Sequence, residues 1–324
     1  MNEFVLGIDG GGSKTLVMLA DRSGQIVRTA RTGGINPLDN PSWRRDLEGK
    51  LRQLANTPGI VAAAAALPAH GEVEAISGDQ REAVASVLAG QPQLVLNDVD
   101  GAQIGAFAGE PGILILSGTG SMAWARDVAG RSHRVGGWGD VIGDEGSSHW
   151  IGHRILEAIS QSLDGRAEPT ALVGAVFAQL GLAGGDPADA LEGWVSRFSH
   201  PRSEIAALAP LATQLAQAGD AAASAIVERA ADELARHVRA IERKAGGALP
   251  WSYAGGTFAS RFLLTAVANE IGRPPVPPRL PPIGGALLAA ARLAGWATDD
   301  AWIERVNRSL GETSDHNPLQ LTTT

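Results

Sequence analysis

Apolar positions in the first hundred residues alternate between short runs and helically spaced stretches. The short runs predict strands at residues 4–8, 16–20, 25–29, 60–67 and 93–96. Apolar residues at helical spacing predict helices at 41–54 and 79–88. Turn-forming residues separate these stretches, most clearly in the hairpin turn at 21–24. This order of strands and helices predicts an α/β fold.

The same pattern restarts in part after residue 111. An apolar run at 112–116 leads into a turn of small residues at 117–121 and a second strand that reaches Trp124. A glycine-rich segment then covers 135–148. Helical spacing predicts helices at 147–163, through most of 169–246 and at 283–296. The restart indicates a repeated strand–turn–strand architecture. We expect the polar residues after about 310 to be frayed.

Composition and charge narrow the class of protein. With 324 residues, 44% of them hydrophobic and 19% charged, the chain is long enough for about two domains with sizeable cores. The formal net charge of −8 argues against non-specific nucleic-acid binding and against binding to anionic membranes. The sequence has no cysteine, which excludes disulfides, thiolate zinc sites, cysteine nucleophiles and cysteine-ligated iron–sulfur clusters.

The sequence shows no segment typical of secretion or membrane insertion. A basic stretch followed by a long apolar core is not visible at the N-terminus, so we identify no signal peptide. The longest apolar run, at 60–68, is too short to span a bilayer. We therefore expect a soluble, cytoplasmic protein with no membrane partner.

The first candidate for chemistry is the glycine turn between the first two strands. Its three glycines, 10–12, allow the backbone N–H groups to point inward, a shape that suits an anion. The residues that follow, Ser13, Lys14 and Thr15, offer two hydroxyls and a cation to phosphate oxygens. Asp9 at the strand end could hold a hydrated divalent cation. The alternative interpretation is an ordinary glycine-rich hairpin turn.

Three familiar motifs fit this chain poorly. Gly7–Thr15 resembles a Walker A loop, but serine stands where that motif has lysine, and a predicted strand follows instead of a helix. The segment from Gly118 matches a loose dinucleotide fingerprint, yet residues 124–127 look like strand and turn. His149 and His153 have metal-ligand spacing, but tryptophan replaces the glutamate of a zincin, so we expect them to be helix residues near a pocket.

A second carboxylate follows the buried strand at 93–96. Asp98 stands where a catalytic carboxylate is exposed at the carboxyl edge of a parallel sheet. Phosphoryl transfer needs backbone donors for phosphates, a carboxylate for Mg²⁺ and a base for the acceptor hydroxyl. Asp98 could equally be a helix N-cap, and Asp100 lies close enough to be confused with it.

These segments together resemble the N-acetylglucosamine kinases, which belong to the BadF/BadG-type ATPase branch of the actin/hexokinase superfamily. The matching segments are Gly7–Thr15, Asn97-Asp98, Leu116–Ser121, Gly136–Gly139, Gly143–Ser147 and Gly255-Gly256. The resemblance covers residues 4 to about 296. Its most specific part is the run from Gly136 to Ser147.

The resemblance implies a two-domain actin-like ATPase fold of the ribonuclease H-like type, with ATP and sugar in a cleft between the domains. The implied N-terminal domain comprises residues 1–112 and about 283–297, and a larger C-terminal domain comprises 113–282. Residues 298–324 would form a terminal helix and a polar tail. The alanine-rich helices suit either a homodimer face or the core.

The resemblance also implies a role for each motif. Asp98 would be the general base that accepts the proton of the sugar hydroxyl, and Asp9 would organise Mg²⁺ through water. ATP phosphates would contact Gly11, Gly12, Ser13, Lys14, Thr15, Gly118, Thr119 and Gly120. The adenosine side would be lined by Gly255 and Gly256. Sugar contacts would come from Asn36, Asp98, Trp138, Gly139 and Asp144.

The sequence therefore predicts an ATP-dependent amino-sugar kinase that transfers the γ-phosphate to the 6-hydroxyl of N-acetylglucosamine, with ATP and Mg²⁺ as cofactors. Glucosamine kinase, or another hexose or muramic acid kinase, is the alternative within this class. The loop Leu67–Gly71 departs from the serine- and glycine-containing loop of these kinases and leaves the exact sugar open.

Two other classes fit less well. An activator ATPase of acyl-CoA reduction requires an iron–sulfur cluster held by cysteines, and this chain has none. A cluster-free ATPase or a non-catalytic sugar sensor could keep the fold without the kinase reaction. The presence of both Asp9 and Asp98 argues against a sensor.

Overall fold

The computed structural model describes residues 2–12, 14–182, 184–198 and 201–315. The chain divides into two compact units. Unit 1 consists of Met1–Gly112 and Pro277–Thr324, and unit 2 consists of Ile113–Val276. The chain therefore returns to unit 1 at Pro277, earlier than the predicted return near residue 283.

The strands and helices follow the predicted alternation. The strands are β1 (Phe4–Gly10), β2 (Lys14–Asp21), β3 (Ile26–Gly33), β4 (Ile60–Leu67), β5 (Gln93–Asn97), β6 (Gly112–Ser117), β7 (Ser121–Arg126), β8 (Ser132–Gly136) and β9 (Trp251–Ala254). The helices are α1 (Trp43–Ala55), α2 (Glu74–Val87), α3 (Asp98–Phe107), α4 (Ser148–Leu163), α5 (Leu172–Leu180), α6 (Pro187–Val195), α7 (Arg202–Ala206), α8 (Ala209–Gln217), α9 (Ala221–Ala245), α10 (Arg261–Ile271), α11 (Pro282–Leu293) and α12 (Asp300–Asp315).

Unit 1 is built on a sheet with strand order β3-β2-β1-β4-β5. Strand β1 pairs antiparallel with β2 and parallel with β4, which in turn pairs parallel with β5. The carboxyl ends of β1, β4 and β5 therefore lie at one edge of the sheet. Alternate residues point to opposite faces: Leu6 and Ile8 pack with α1 and α2, while Val5 packs with α11 and α12. Helices on both faces explain why β4 is a continuous apolar run.

Helices α3 and α11 approach each other closely through glycines. A Cβ atom on Gly285 would lie 2.0 Å from the carbonyl oxygen of Gly101. A Cβ atom on Gly101 would in turn lie 2.5 Å from the Cβ of Ala66 in β4. Because α3 begins at Asp98, this packing fixes the position of the predicted base relative to the sheet.

Three elements extend beyond their predicted limits. Strand β3 continues to Gly33 because its polar residues face solvent while its backbone pairs with β2, so the apolar pattern underestimated it. Helix α2 begins at Glu74 instead of residue 79, since polar residues and Gly78 hide its first turns. Helix α12 reaches Asp315 and packs Trp302 into unit 1. The predicted fraying after about residue 310 is therefore wrong for residues 311–315, and residues 316–324 lie outside the described residues.

Unit 2 contains a sheet with strand order β8-β7-β6-β9 and a large set of helices. Strands β6 and β9 are parallel, and α9 packs along β7 and β8. The core combines apolar residues of β6 and β7 with those of α4, α8, α9 and α10. Within the described part of the chain, no helix is both long and apolar enough to cross a membrane.

Candidate active site

Two carboxylates meet at the carboxyl edge of the sheet in unit 1. Asp9 lies near the end of β1, in register with Ala66 of β4, and Ala66 is in register with Leu96 of β5. Asp98 follows β5 directly, as the first residue of α3. The two side chains are close enough for the charge of Asp9 to raise the pKa of Asp98. The strand register thus brings together the two acidic residues that the sequence singled out.

Asp98 is a desolvated carboxyl group, and none of the charges that shift its pKa is positive. Burial is the main cause that raises the pKa of Asp98 to about 7, with smaller contributions from the charges of Asp9 and Glu72. The backbone N–H of Val99 donates to Asp98 Oδ1 at 3.0 Å and partly opposes the rise. A carboxyl with this pKa can accept a proton near neutral pH.

The N-cap of α3 is Asn97, the residue before Asp98, and not Asp98 itself. The Oδ1 of Asn97 accepts a hydrogen bond from the N–H of Val99 at 3.0 Å. Asp98 is therefore not required as the cap. Asp100 is buried, whereas Asp98 keeps a partly exposed side chain.

Asp9 suits a magnesium ion that is held mainly by phosphate and water. Desolvation raises the pKa of Asp9 to about 6, although the charge of Lys14 acts in the opposite direction. Among the described residues there is no group of three or more acidic or histidine side chains that could form a complete metal cage. Mg²⁺ commonly uses one or two carboxylates and takes its other ligands from phosphates and water. The donor set in unit 1 fits that mode of binding.

The glycine turn at residues 10–12 is open on one side. A Cβ atom on Gly12 would meet no atom within 4 Å, and Gly12 and Lys14 are exposed. The N–H of Gly11 donates to the carbonyl of Lys14 at 2.9 Å, which closes the turn. Ser13 lies outside the described residues. The turn is therefore accessible to a ligand, with the cation of Lys14 beside it.

Thr15 occupies a different environment from the rest of this turn. Its side chain is fully buried in β2, and its hydroxyl donates to the carbonyl of Gly33 at 3.0 Å. In this geometry the hydroxyl supports the strand pairing behind the turn. Strand β2 itself confirms the prediction that a strand follows the glycines, which a Walker A loop does not allow.

Asn36 and the loop at 67–71 are tied to these elements by hydrogen bonds. The N–H of Ile35, next to Asn36, donates to the carbonyl of Gly11 at 3.0 Å. Asn36 Nδ2 donates to Asp39 at 2.6 Å, so part of its amide is already used within its own turn. The amide of Asn97 donates to the carbonyl of His70 at 2.9 Å. This hydrogen bond connects the loop Leu67–Gly71 to the residue beside Asp98.

The second glycine turn, in unit 2, is fixed by the loop that follows β8. Ser117 donates through its hydroxyl to the carbonyl of Gly146 at 2.9 Å, and Ser121 does so to the carbonyl of Glu145 at 2.7 Å. The N–H of Ser148 donates to the carbonyl of Gly118 at 2.8 Å. The turn itself remains open, because Thr119 is exposed and a Cβ on Gly118 would meet nothing within 4 Å.

The Gly255-Gly256 junction lies directly against this turn. A Cβ on Gly255 would lie 2.2 Å from the carbonyl oxygen of Ser117, so only glycine fits. The hydroxyls of Ser148 and Thr257 are 2.7 Å apart. A cavity of about 590 Å³ begins here, within the range of nucleotide-sized sites. It is lined by residues that include Gly256, Thr257, Ser260, Arg261, Thr213 and Gln214.

Asp144 is buried near the end of the glycine-rich loop and is paired with Arg202, which no sequence motif predicted. It has a left-handed backbone, with φ at +59°, an unusual conformation for a residue other than glycine. Arg202 Nη2 donates to Asp144 Oδ2 at 2.5 Å, and the N–H of Ser121 donates to Oδ1 at 3.3 Å. Arg202 belongs to no motif; its only signal in the sequence is that a buried carboxylate favours a partner.

Trp138 and Gly139 lie farther along the same loop. Trp138 is 71% exposed, and the guanidinium of Arg134 lies 6.0 Å from its ring centroid. Gly139 has φ at +82°, which lets the loop turn sharply beside the tryptophan. Trp138 lines a cavity with α9, separate from the cavity at Gly256. In unit 2, Asp144 contacts the second glycine turn, where its carboxylate accepts from the N–H of Ser121.

The family follows from a comparison of sequence patterns. The model of the BadF/BadG/BcrA/BcrD ATPase family matches residues 6–290. The chain belongs to this family. The match spans both glycine turns, both unit 1 carboxylates and the Gly255-Gly256 junction, so these candidate site residues lie inside the family region.

Proteins similar to this chain include named sugar kinases. An N-acetylmuramic acid/N-acetylglucosamine kinase from Clostridium acetobutylicum is 31% identical over 248 residues, covering 74% of this chain and 79% of that protein. A glucosamine kinase from Vibrio cholerae is 28% identical over 250 residues, covering 75% and 82%. The solved structure of a proposed N-acetylglucosamine kinase from Chromobacterium violaceum superposes with a TM-score of 0.68 at 27% identity, covering 90% and 99%.

Proposed function

We propose that this protein is an ATP-dependent amino-sugar kinase that transfers the γ-phosphate to the 6-hydroxyl of N-acetylglucosamine. The observation that carries the proposal is Asp98: a desolvated carboxyl with a pKa of about 7, beside Asp9 and at the carboxyl ends of the parallel strands β1, β4 and β5. The names of the relatives support the same reaction class.

Asp98 acts as the general base in this proposal. It accepts the proton of the sugar 6-hydroxyl as the oxygen attacks the γ-phosphorus, and the bond from that phosphorus to the β,γ-bridging oxygen breaks. Its hydrogen bond from Val99 holds one carboxyl oxygen, which leaves the other to receive the proton. Asn36 and Asp144 contact sugar hydroxyls, and Trp138 and Gly139 complete the sugar side.

ATP is held by backbone groups and a few side chains. Gly11, Gly12 and Lys14 in unit 1 and Gly118, Thr119 and Gly120 in unit 2 contact the phosphates, and Gly255 and Gly256 line the adenosine side. The same proposal includes Ser13 as a phosphate contact, whereas the buried Thr15 supports the strand behind the turn and does not itself reach the phosphates. When bound, Mg²⁺ neutralises phosphate charge, and Asp9 holds it through water.

A sugar panel tests the proposed reaction. ADP release from MgATP is measured with N-acetylglucosamine, glucosamine, N-acetylmannosamine, N-acetylmuramic acid, glucose and no sugar. We expect N-acetylglucosamine to stimulate release most strongly, and NMR of the product to place the phosphate on the 6-oxygen. The matched control is 6-deoxy-N-acetylglucosamine, which lacks the attacking hydroxyl. Equal rates with and without every sugar would contradict a kinase and favour an ATPase or a non-catalytic sensor.

Glucosamine is the second candidate substrate. The relative from Vibrio cholerae, a glucosamine kinase of comparable coverage, favours it. The same panel separates the two candidates, because glucosamine would then give a higher kcat/KM than the acetylated sugar.

A further inference from the structure

A cavity of about 480 Å³ lies within unit 2, between the glycine-rich loop and helix α9. Its volume is within the range of small-molecule sites. One wall comes from β8 and the loop and includes Val135, Gly136, Trp138 and Glu145. The other wall is one face of α9, where helical spacing aligns Arg236, Arg239 and Arg243. Neither Asp144 nor the second glycine turn lines this cavity, so it differs from the phosphate side of the candidate site.

The surroundings of the cavity are positive, although the chain as a whole has a formal net charge of −8. Besides the three arginines of α9, two cations lie beside the loop wall. The guanidinium of Arg134 is 6.0 Å from the ring centroid of Trp138, and Lys244 Nζ donates to the carbonyl of Arg134 at 2.9 Å. The carboxylates on the cavity wall or paired with it are Glu145, Glu233 and Asp232. Together these groups carry a net charge of about +2, which favours an anionic ligand.

Arg243 is the cation of the α9 wall whose hydrogen-bonding capacity is unused. Arg236 pairs with Glu233 at 3.0 Å, and Arg239 pairs with Asp232 at 2.7 Å. Arg243 is exposed and has no hydrogen bond or ion pair with any residue that the structure describes. A guanidinium presents its N–H donors as a fork that matches two oxygens of a phosphate or a carboxylate. Arg243 can therefore bind an anion in the cavity without breaking an existing ion pair.

The loop wall is held in place and carries an exposed aromatic ring. His237 is buried, and its Nδ1 lies 2.8 Å from the carbonyl oxygen of Glu233. A Cβ atom on Gly136 would lie 2.4 Å from His237 Nε2, so the start of the loop packs tightly on α9. Trp138, which is 71% exposed, follows two residues later. An exposed indole opposite a guanidinium fork suits a ligand that has both a ring and an anionic group.

We propose that this cavity is a further binding site for a phosphorylated sugar, the chemical class of the proposed reaction's product. A phosphate monoester has a charge of about −1.5 to −2 at neutral pH and three acceptor oxygens, which match the fork of Arg243 and the positive surroundings. Trp138 packs against the sugar ring. The inference rests on the proposed function for the identity of the sugar, whereas the anion-binding wall does not depend on catalysis.

Calorimetric titration tests this site with the active site already filled. The protein is saturated with Mg²⁺, a non-hydrolysable ATP analogue and 6-deoxy-N-acetylglucosamine, so that added product cannot bind there. It is then titrated with N-acetylglucosamine 6-phosphate, inorganic phosphate, AMP or N-acetylglucosamine. We expect the sugar phosphate to bind at one site per chain, inorganic phosphate to bind more weakly, and the neutral sugar not to bind. Tighter binding of AMP than of the sugar phosphate would overturn the assignment of the ligand as a sugar.

Variants of α9 locate the binding site. Arg243→Met should weaken binding of the sugar phosphate about tenfold, because hydrogen bonds to a charged group are lost. Arg243→Lys keeps the charge without the fork and should lose less. The matched control is Arg229→Met, on the same helix: Arg229 is exposed, does not line the cavity and lies 5.7 Å from the ring centroid of Trp150. It should leave the affinity unchanged. Added salt should weaken binding to the wild type, because screening reduces charge attraction.

No binding of the sugar phosphate to the wild type, or equal affinity in the wild type and Arg243→Met, would overturn the proposal. Circular dichroism and the melting temperature establish whether each variant folds. If Arg243→Met does not fold, Arg236→Met decides, and unchanged affinity there contradicts the site. Failure of the proposed function would be seen differently, as wild-type protein without sugar-dependent ADP release.

Discussion

Asp98 in unit 1 and Asp144 in unit 2 are both desolvated by the surrounding protein, which raises the pKa of each carboxyl. Their partners differ. Asp98 accepts a hydrogen bond from Val99, and the nearby charges that raise its pKa, those of Asp9 and Glu72, are negative. Asp144 accepts hydrogen bonds from the guanidinium of Arg202 and the N–H of Ser121. One carboxyl is prepared to take a proton, and the other is held as a fixed acceptor.

The two residues also differ in backbone conformation and in whether a neighbour can replace their hydrogen bond. Asp144 adopts a left-handed backbone, and its carboxylate accepts hydrogen bonds from Arg202 and Ser121. The N–H of Val99, by contrast, is served by both Asp98 and Asn97, so α3 keeps its cap without Asp98. A residue that the fold does not need, and that burial destabilises when charged, is typical of a catalytic group. The following predictions test this contrast.

The largest expected effect is the loss of turnover in Asp98→Asn. The amide cannot accept the proton, so we expect kcat to fall by about 10²–10⁴ with little change in ATP affinity. ADP release and equilibrium binding of ATP measure the two quantities. Turnover within a few-fold of wild type would show that Asp98 is not the base.

The pH profile should follow the ionisation of the same group. Since the base must be deprotonated and the pKa of Asp98 is about 7, kcat/KM should fall as the pH drops below that value, by about tenfold per unit. Stopped assays in overlapping buffers measure the profile. A profile that stays flat down to pH about 5, well below that pKa, would contradict this assignment.

Asp144→Ala should instead lower the stability of the protein. The substitution leaves Arg202 and the N–H of Ser121 without their acceptor and places alanine in a left-handed conformation. We expect a loss of about 2 kcal/mol in the free energy of unfolding, measured with urea. The matched control is Asp98→Ala, in which Asn97 still accepts from Val99, so no comparable loss should occur. Similar losses in both variants would remove the contrast.

Much of unit 1 could be predicted from the sequence. The bounds of β4, Ile60–Leu67, match the apolar run because helices cover both of its faces. Asp9 and Asp98 were recognisable because strand ends in a parallel sheet converge on one edge, a rule that needs no side-chain detail.

The partners of the site residues could not be predicted in the same way. The ion pair of Asp144 with Arg202 joins residues 58 positions apart, and the short helix that carries the arginine has no motif. Thr15 pairs with Thr32 in the β2–β3 ladder, and its buried hydroxyl donates to the carbonyl of Gly33, contacts that apolar periodicity does not encode. Local patterns predict elements, whereas such contacts depend on packing between distant segments.

The smallest expected effect is on stability: removing the charge of Asp98 should stabilise the protein, whereas removing the Asp144 side chain should destabilise it. The pKa of Asp98 is about 7 in the folded protein and about 4 in the unfolded chain, so the ionised carboxyl destabilises the folded state at high pH. This destabilisation disappears as the pH falls from about 7 to about 4, because the folded protein takes up the proton at a higher pH than the unfolded chain does. Asp98→Asn should therefore be more stable than wild type by on the order of 1 kcal/mol at pH about 8, after allowance for partial solvent screening, and equal to it near pH about 4. Urea unfolding at both pH values measures the gap. If Asp98→Asn loses turnover and gains stability only at high pH, the charge of Asp98 serves the reaction and not the fold. If the variant loses both turnover and stability, Asp98 stabilises the fold as Asp144 does.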